Sequence, residues 1–335
     1  KVNKKYYLWK KNSYWYGCRY YFSMDEGVTK FNIMSSEELK KFSNEVSSKI
    51  YFDYDLKKSN WFNIGGKAKI YFRPDNLPDL ILFLKRFRNK EKIHILGAGS
   101  NTLISDNTFD GVVIKLGKNF SNISMLPNGV IVAGSACLDK KLSDFATENE
   151  VGNFEFLACI PGTVGGGLKM NAGCFNKEFK DILISIQAID KEGSIITIPA
   201  NKVIFKYRGS NLPDNLIFLS ASFKGKKKNK EIIQKEVLEL KKRKDNIQPT
   251  KIKTSGSTFK NPISKSDKKV WQLIKESVPL DISFGDACIS DKHCNFFVNK
   301  NNASFDDMNK LIKFVQDAVK KKTGIILEKE IKILE

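Results

Sequence analysis

Residues 254–262 read TSGSTFKNP. Gly256 and Pro262 break regular structure, and the flanking serines are too small and polar for a core, so the stretch reads as a loop that presents something. Ser257 is the group with chemistry to present. A nucleophilic serine needs a base held against it, most often a histidine. The chain contains only two, His94 and His293. Two other residues stand out. Only six of the 57 basic residues are arginine, and Arg208 in FKYRGS follows an aromatic residue. That pattern points to a planar fork for a carboxylate, although the motif alone fits a surface arginine better. In EKEIKIL, alternation puts Glu328, Glu330 and Lys332 on one face and Ile331 and Ile333 on the other. One of these carboxylates can serve a site, but a solvated strand face is the commoner outcome.

Two glycine-rich stretches add a ligand-binding character. GAGSN (97–101) leaves the short apolar run KIHIL. It lacks the third glycine of a GxGxxG fingerprint and no helical pattern follows, so a Rossmann site is poorly supported. Successive N–H groups on such a turn can still form an anion nest; a plain strand-exit turn is an equal reading. In IPGTVGGGLKMNAG (160–173), Gly165, Gly166 and Gly167 are consecutive and flanked by apolar residues. Buried backbone without side chains leaves room for a large planar or phosphorylated ligand, and this reading is preferred to close packing against another element. The six cysteines form no CxxC pair, and none groups with histidine at zinc spacing. No metal is expected, and the thiols are expected to be reduced.

These residues need a scaffold. A chain of 335 residues with 41% hydrophobic and 28% charged content suits a soluble protein of two or three domains. There is no apolar run of about 20 residues to span a bilayer and no signal-peptide pattern, so membrane insertion is not expected and a cytoplasmic setting is. The net charge is +20, and residues 206–270 hold 18 Lys/Arg against 6 Asp/Glu. Without interleaved aromatics or a binding motif, this excess does not imply nucleic acid as the partner; it suits anionic small molecules. Residues 1–33 are dense in aromatics and lysine without period and read as an extension outside the fold, with Met34 as the expected start. From about residue 65, strands KAKIYF, KIHIL, GVVIKL and GVIVAGSA alternate with helices at 77–90 and 138–151. A hairpin joins ILISIQAI to SIITI. After about residue 224 come a charged helix (229–246), a shorter one at 270–278, two strands, and a helix with a Ser304/Asp307 capping box and apolar Met308, Leu311, Ile312, Val315 and Val319. Gly324 ends that helix, and IILEKEIKIL reads as a last strand.

The ordered set NWFNIGGKAKIYFRP, ILGAGSNTLISD, EFLACIPGTVGGGLKMNAGCF, FKYRGS, SGSTFKNP, SDKHCNFFVN and LEKEIKIL resembles the UDP-N-acetylenolpyruvoylglucosamine reductase family of peptidoglycan synthesis, from about Ser59 to Ile333. The resemblance implies an α+β architecture: a flavin-binding fold of the vanillyl-alcohol-oxidase/PCMH type, made of two α/β subdomains, with a smaller α+β substrate-binding domain. The expected boundaries are 34–117 and 118–223 for the subdomains and 224–324 for the third domain, with strand 325–335 packing back on the second subdomain. It implies FAD as cofactor and NADPH as co-substrate, with a monomer expected. By similarity Gly97, Ala98, Gly99, Ser100 and Asn101 face the FAD pyrophosphate, and Pro161, Gly162, Val164, Gly165, Gly166, Asn171, Ala172 and Gly173 line the cofactor's path.

The implied chemistry is a relay in which FAD reduced by NADPH passes hydride from N5 to C3 of the enolpyruvyl substrate, and a proton is added at C2. Arg208 matches the family's arginine, which stabilises charge on the substrate carboxylate. Glu330 matches its active-site glutamate, for which a raised pKa is expected beside that carboxylate. Ser257 matches the serine that protonates the carbon. Tyr207, Asn261 and Lys260 are expected to contact substrate. Few residues separate Arg208 from IFLSASF (217–223), so the chain resembles the branch lacking the long tyrosine loop. The competing readings are another FAD oxidoreductase of this fold and a basic nucleic-acid-binding protein.

Overall fold

The computed structural model describes residues 36–87 and 92–335; the expected extension 1–33 and start at Met34 lie outside them. The first region holds α1 (Ser36–Glu45), β1 (Lys49–Asp55), β2 (Lys67–Arg73), α2 (Leu77–Phe87), β3 (Ile93–Ile95), β4 (Thr102–Ile104) and β5 (Phe109–Ile114). Its sheet runs β1-β2-β5-β3, with β1 antiparallel to β2, and β2 and β3 parallel to β5. Ala68, Ile70, Tyr71 and Phe72 of β2 are all buried, as expected of a strand covered on both faces. Leu80, Phe83, Leu84 and Phe87 of α2 pack beneath it. Phe42 of α1 meets Phe72, Phe83 and Phe87 edge-on at centroid distances of 6.0, 5.7 and 5.2 Å.

The second region comprises β6 (Ile123–Met125), β7 (Ile131–Gly134), α3 (Asp139–Glu148), α4 (Val164–Met170), β8 (Leu183–Ile189), β9 (Ile195–Pro199) and β10 (Ile217–Phe223). The sheet β9-β8-β10-β7-β6 is antiparallel throughout. Here the glycine cluster departs from expectation. Gly165, Gly166 and Gly167 form the first turns of α4 rather than a loop. A side chain at Gly167 would run into the Phe179 ring, and one at Gly165 would stand 3.0 Å from Ser135 Cβ. Close packing therefore explains two of the three glycines. Gly166 alone looks onto open space, with only Thr163 Oγ1 within 4 Å, at 3.6 Å.

The third region contains α5 (Lys230–Ile247), α6 (Val270–Ser277), β11 (Ser283–Phe284), β12 (Ala287–Ile289), β13 (Phe297–Asn299), α7 (Phe305–Thr323) and β14 (Lys332–Leu334). Strands β11-β12-β13 form a small antiparallel sheet. Helix α7 starts at the Ser304/Asp307 capping box, ends at Gly324 with φ 74°, and buries Met308, Leu311, Ile312, Val315 and Val319. The last strand corrects an expectation. Instead of returning to the second region, β14 runs parallel to β4, pairing Lys332 with Thr102 and Leu334 with Ile104. Leu334 fills the core of Leu56, Ala68, Tyr71 and Val113 in the first region, and that apolar socket is the physical reason. Among the described residues, no helix is long and apolar enough to cross a membrane.

Segment 257–260 ties the turn at Asn295 to the chain that leads into β14. It is an extended ribbon rather than a free loop. Thr258 N–H donates to Asn295 O at 2.8 Å, Glu330 N–H donates to Thr258 O at 2.8 Å, and Lys260 N–H donates to Glu328 O at 2.8 Å. Gly256 precedes it with φ 77° and nothing within 4 Å of where a Cβ would stand. The left-handed backbone, rather than crowding, calls for glycine there.

Candidate active site

A cavity of about 580 Å³ opens between the second and third regions. Tyr207 and Arg208 reach it from the turn of a hairpin that pairs Phe205–Lys206 with Gly209–Ser210. Arg208 itself has φ 56°, a left-handed conformation uncommon outside glycine. Its Nε donates to Glu330 Oε1 at 2.8 Å and its Nη2 to Gly173 O at 3.1 Å. The guanidinium lies 5.0 Å from the Tyr207 ring centroid. Among the described residues Nη1 has no protein partner.

Glu330 arrives on the segment leading into β14, and its side chain is only 15% exposed. Glu328 at 62% and the outward Lys332 stay in solvent, so one carboxylate of the alternating face is drawn inward. Burial raises the Glu330 pKa above its ordinary value, against the lowering pull of Arg208 and, more weakly, Lys260. The direction agrees with expectation, but the cause is burial within the protein.

Ser257 lines the same cavity and bridges to Phe296 through its backbone. Its hydroxyl has no protein partner among the described residues. Asn261 links two walls: its Nδ2 donates to the Tyr207 hydroxyl at 3.3 Å, and its Oδ1 accepts from Val270 N–H at 3.0 Å at the start of α6. Lys260 is not among the lining residues; its Nζ sits 3.9 Å from Glu328. It therefore reaches the site through its charge and not by contact.

The residues expected to hold FAD divide into two sets. None of the backbone N–H groups of Gly97, Ala98, Gly99, Ser100, Asn101, Gly162 and Gly166 meets a protein acceptor among the described residues. The two segments abut, since Ser100 Oγ donates to Pro161 O and a side chain at Gly97 would stand 2.8 Å from Thr163 Oγ1. Unpaired amides converging on one seam are what a pyrophosphate requires, so these residues fit the cofactor. The other set is committed elsewhere. Asn171 is wholly buried with φ 42°. It ends α4, donating to Glu178 and Lys206 O and accepting from Lys180 N–H. Val164 and Gly165 give their N–H groups to Cys137 O and Ser135 O, and Ala172 gives its own to Gly167 O. Gly173 supports Arg208. These positions shape the seam from behind.

The cavity also holds residues that motif reading passed over: Phe175, Arg243, Lys269, Trp271, His293 and Asn295. Arg243 stacks on Phe175 at 4.7 Å. A scarce arginine and one of only two histidines were the available signals. Among the described residues, no group of three or more His, Cys, Asp or Glu is placed to hold a metal.

The chain is similar to known proteins. Residues 248–334 match the family described as UDP-N-acetylenolpyruvoylglucosamine reductase, C-terminal domain, and residues 68–199 match the FAD binding domain family. A UDP-N-acetylenolpyruvoylglucosamine reductase of Pelagibacter ubique is 81% identical over 302 residues, covering 90% of this chain and all of the relative. One from Rickettsia bellii is 46% identical over 280 residues, covering 84% of this chain and 92% of the relative. A crystal structure of UDP-N-acetylenolpyruvylglucosamine reductase from Thermus caldophilus superposes with a TM-score of 0.74 at 28% identity, covering 86% of this chain and 99% of that one. The fold class and the FAD cofactor read from the sequence are borne out. This chain belongs to the UDP-N-acetylenolpyruvoylglucosamine reductase family.

Proposed function

We propose that the chain reduces the enolpyruvyl ether of UDP-N-acetylglucosamine to UDP-N-acetylmuramate, with NADPH as the electron source. One observation carries the reading: a single cavity collects an arginine held by a glutamate and a serine hydroxyl with no protein partner. FAD, when bound, supplies the hydride. The free amides of Gly97, Ala98, Gly99, Ser100, Asn101, Gly162 and Gly166 would hold its pyrophosphate.

The protein's own residues manage charge and one proton. As hydride arrives, negative charge grows on the substrate carboxylate. Glu330 and Gly173 O occupy Nε and Nη2 of Arg208, which leaves Nη1 to meet that carboxylate. A cation held in place this way stabilises the transition state more than the ground state. A proton on Glu330 spares the incoming carboxylate a buried negative neighbour, and burial favours that form. Ser257 then gives its hydroxyl proton to the carbon. This answers the question of the missing base: a group that donates to a basic carbon needs no histidine to make it nucleophilic. Tyr207 and Asn261 form one wall against the sugar nucleotide, and the basic stretch 206–270 attracts two anionic substrates.

Rapid mixing under anaerobic conditions separates the two half-reactions. In Ser257→Ala, NADPH should reduce the flavin normally while the enolpyruvyl substrate reoxidises it slower by about 10² or more, the usual scale of one proton donor. Equal loss in both halves would remove Ser257 from proton transfer. Wild-type flavin that NADPH reduces but the enolpyruvyl substrate leaves reduced would point to a different oxidoreductase of this fold.

A further inference from the structure

The roles given to Arg208, Ser257 and Glu330 leave the one histidine of the cavity unused. His293 lines the cavity with them. Its Nδ1 accepts the Asn295 backbone N–H at 3.2 Å, and its carbonyl accepts the Phe296 N–H at 2.8 Å. A ring that accepts at Nδ1 carries its proton on Nε2 and is neutral. The ring meets Phe296 edge-on at 4.8 Å.

The turn closed in this way is the one to which the Ser257 segment is tied. Phe296 bridges Ser257. Asn295, 2% exposed, accepts Thr258 N–H on its carbonyl at 2.8 Å. Its side chain accepts Phe259 N–H at 3.0 Å and donates to Phe259 O at 2.9 Å. Thr258 O in turn accepts the Glu330 N–H. An unbroken set of hydrogen bonds thus runs from the imidazole to the segments bearing both Ser257 and Glu330.

We propose that His293 is a positioning residue for the substrate half-reaction: by accepting the Asn295 N–H, its neutral imidazole holds the Ser257 segment in register at the cavity, and protonation of Nδ1 releases it. The role rests on the reading that Ser257 gives its proton to the substrate. A proton on Nδ1 would set two donors head to head and break the turn. Charged groups line the same cavity. Arg208 and Glu330 face the cavity as a closed pair, and Arg243 of α5 and Lys269 before α6 add two cations. Of its chain neighbours, Lys292 is held by Asp245 O and the Cys294 thiol points to Trp271 O at 3.0 Å. Burial lowers the His293 pKa, against a smaller raising pull from its own backbone.

Two variants separate this role from mere packing. His293→Asn offers an amide oxygen near the place of Nδ1 and does not titrate; His293→Phe keeps a ring without an acceptor. With FAD bound, NADPH should reduce both within about twofold of the wild-type rate. Reoxidation by the enolpyruvyl substrate should slow about tenfold or more in His293→Phe, the scale of a small displacement of a reacting group, and recover in His293→Asn. The wild-type reoxidation rate should fall at acid pH, and His293→Asn should lack that fall. A readout independent of turnover is the ¹⁵N spectrum of the histidine-labelled holoprotein, where His293→Asn assigns the signals of the only two histidines. Nδ1 of His293 should be unprotonated at neutral pH. A protonated Nδ1 there, or a His293→Phe variant reoxidised at the wild-type rate, overturns the role. So does equal loss in both half-reactions. Wild-type flavin that the substrate fails to reoxidise overturns the functional reading, and this role with it.

Discussion

Glu330 is a carboxylate asked to sit indoors beside a guanidinium, and its protonation couples the site to stability. Its folded pKa lies above the ordinary 4.5 because burial outweighs Arg208. The folded state therefore keeps a proton that the unfolded chain has lost. Its contribution to stability is full below about 4.5 and is lost as pH rises through the folded value. Urea titrations from pH 4 upward, in about half-unit steps, should show wild-type stability declining relative to Glu330→Gln, which has no proton to lose. Parallel curves for the two proteins would show that the glutamate is ionised in both states. At this scale the sequence was only partly legible. Arg208 by its own motif favoured the surface reading, because its partner lies 122 residues away. Ser257 was visible from its loop chemistry. His293 was marked by its rarity, but its role was not legible until Asn295 and Phe296 were seen to grip the Ser257 segment.

Helix α4 shows how packing overrides local preference. Three glycines in succession read as a loop, since each costs about 1 kcal/mol relative to alanine in a helix. The helix forms regardless, because Gly167 lets Phe179 approach and Gly165 lets the chain lie against Ser135. Gly167→Ala should destabilise the flavin-free protein by about 1–3 kcal/mol, the range for overpacking. Gly166→Ala, with only one atom within 4 Å, should be neutral or stabilising by up to about 1 kcal/mol through helix propensity. Thermal unfolding of the two variants compares them directly, and a reversed order would refute the packing account. Elements with period and caps were legible, α7 above all. Strand β1 was not: its Tyr51 and Phe52 are solvent-exposed, and an edge strand carrying aromatics outward has neither the alternation nor the apolar run that marks a strand.

At the level of the whole molecule, the site belongs to no single region. The first region supplies GAGSN, the second Arg208 and the α4 seam, and the third Ser257; β14 then ties the end of the third into the core of the first. Leu334 is 4% exposed in that core. Leu334→Ala should cost about 2–5 kcal/mol and weaken FAD retention together with stability, because β14 braces β4 directly after Asn101. Flavin content after dialysis and the urea midpoint should fall together; full flavin retention in a destabilised protein would show that the seam stands without β14. The alternation of elements made this architecture legible, but the partner of the last strand was not, since a strand of only three residues, Lys332–Leu334, says little about which edge it joins. That pairing also bears on biosynthesis. Asn101 Nδ2 donates to the Glu330 carbonyl across 229 residues of chain. At about 5–20 residues per second, a ribosome needs roughly 10–50 s between making the two. For that interval the edge of β4 stands uncovered, since the strand that pairs with it is among the last residues made.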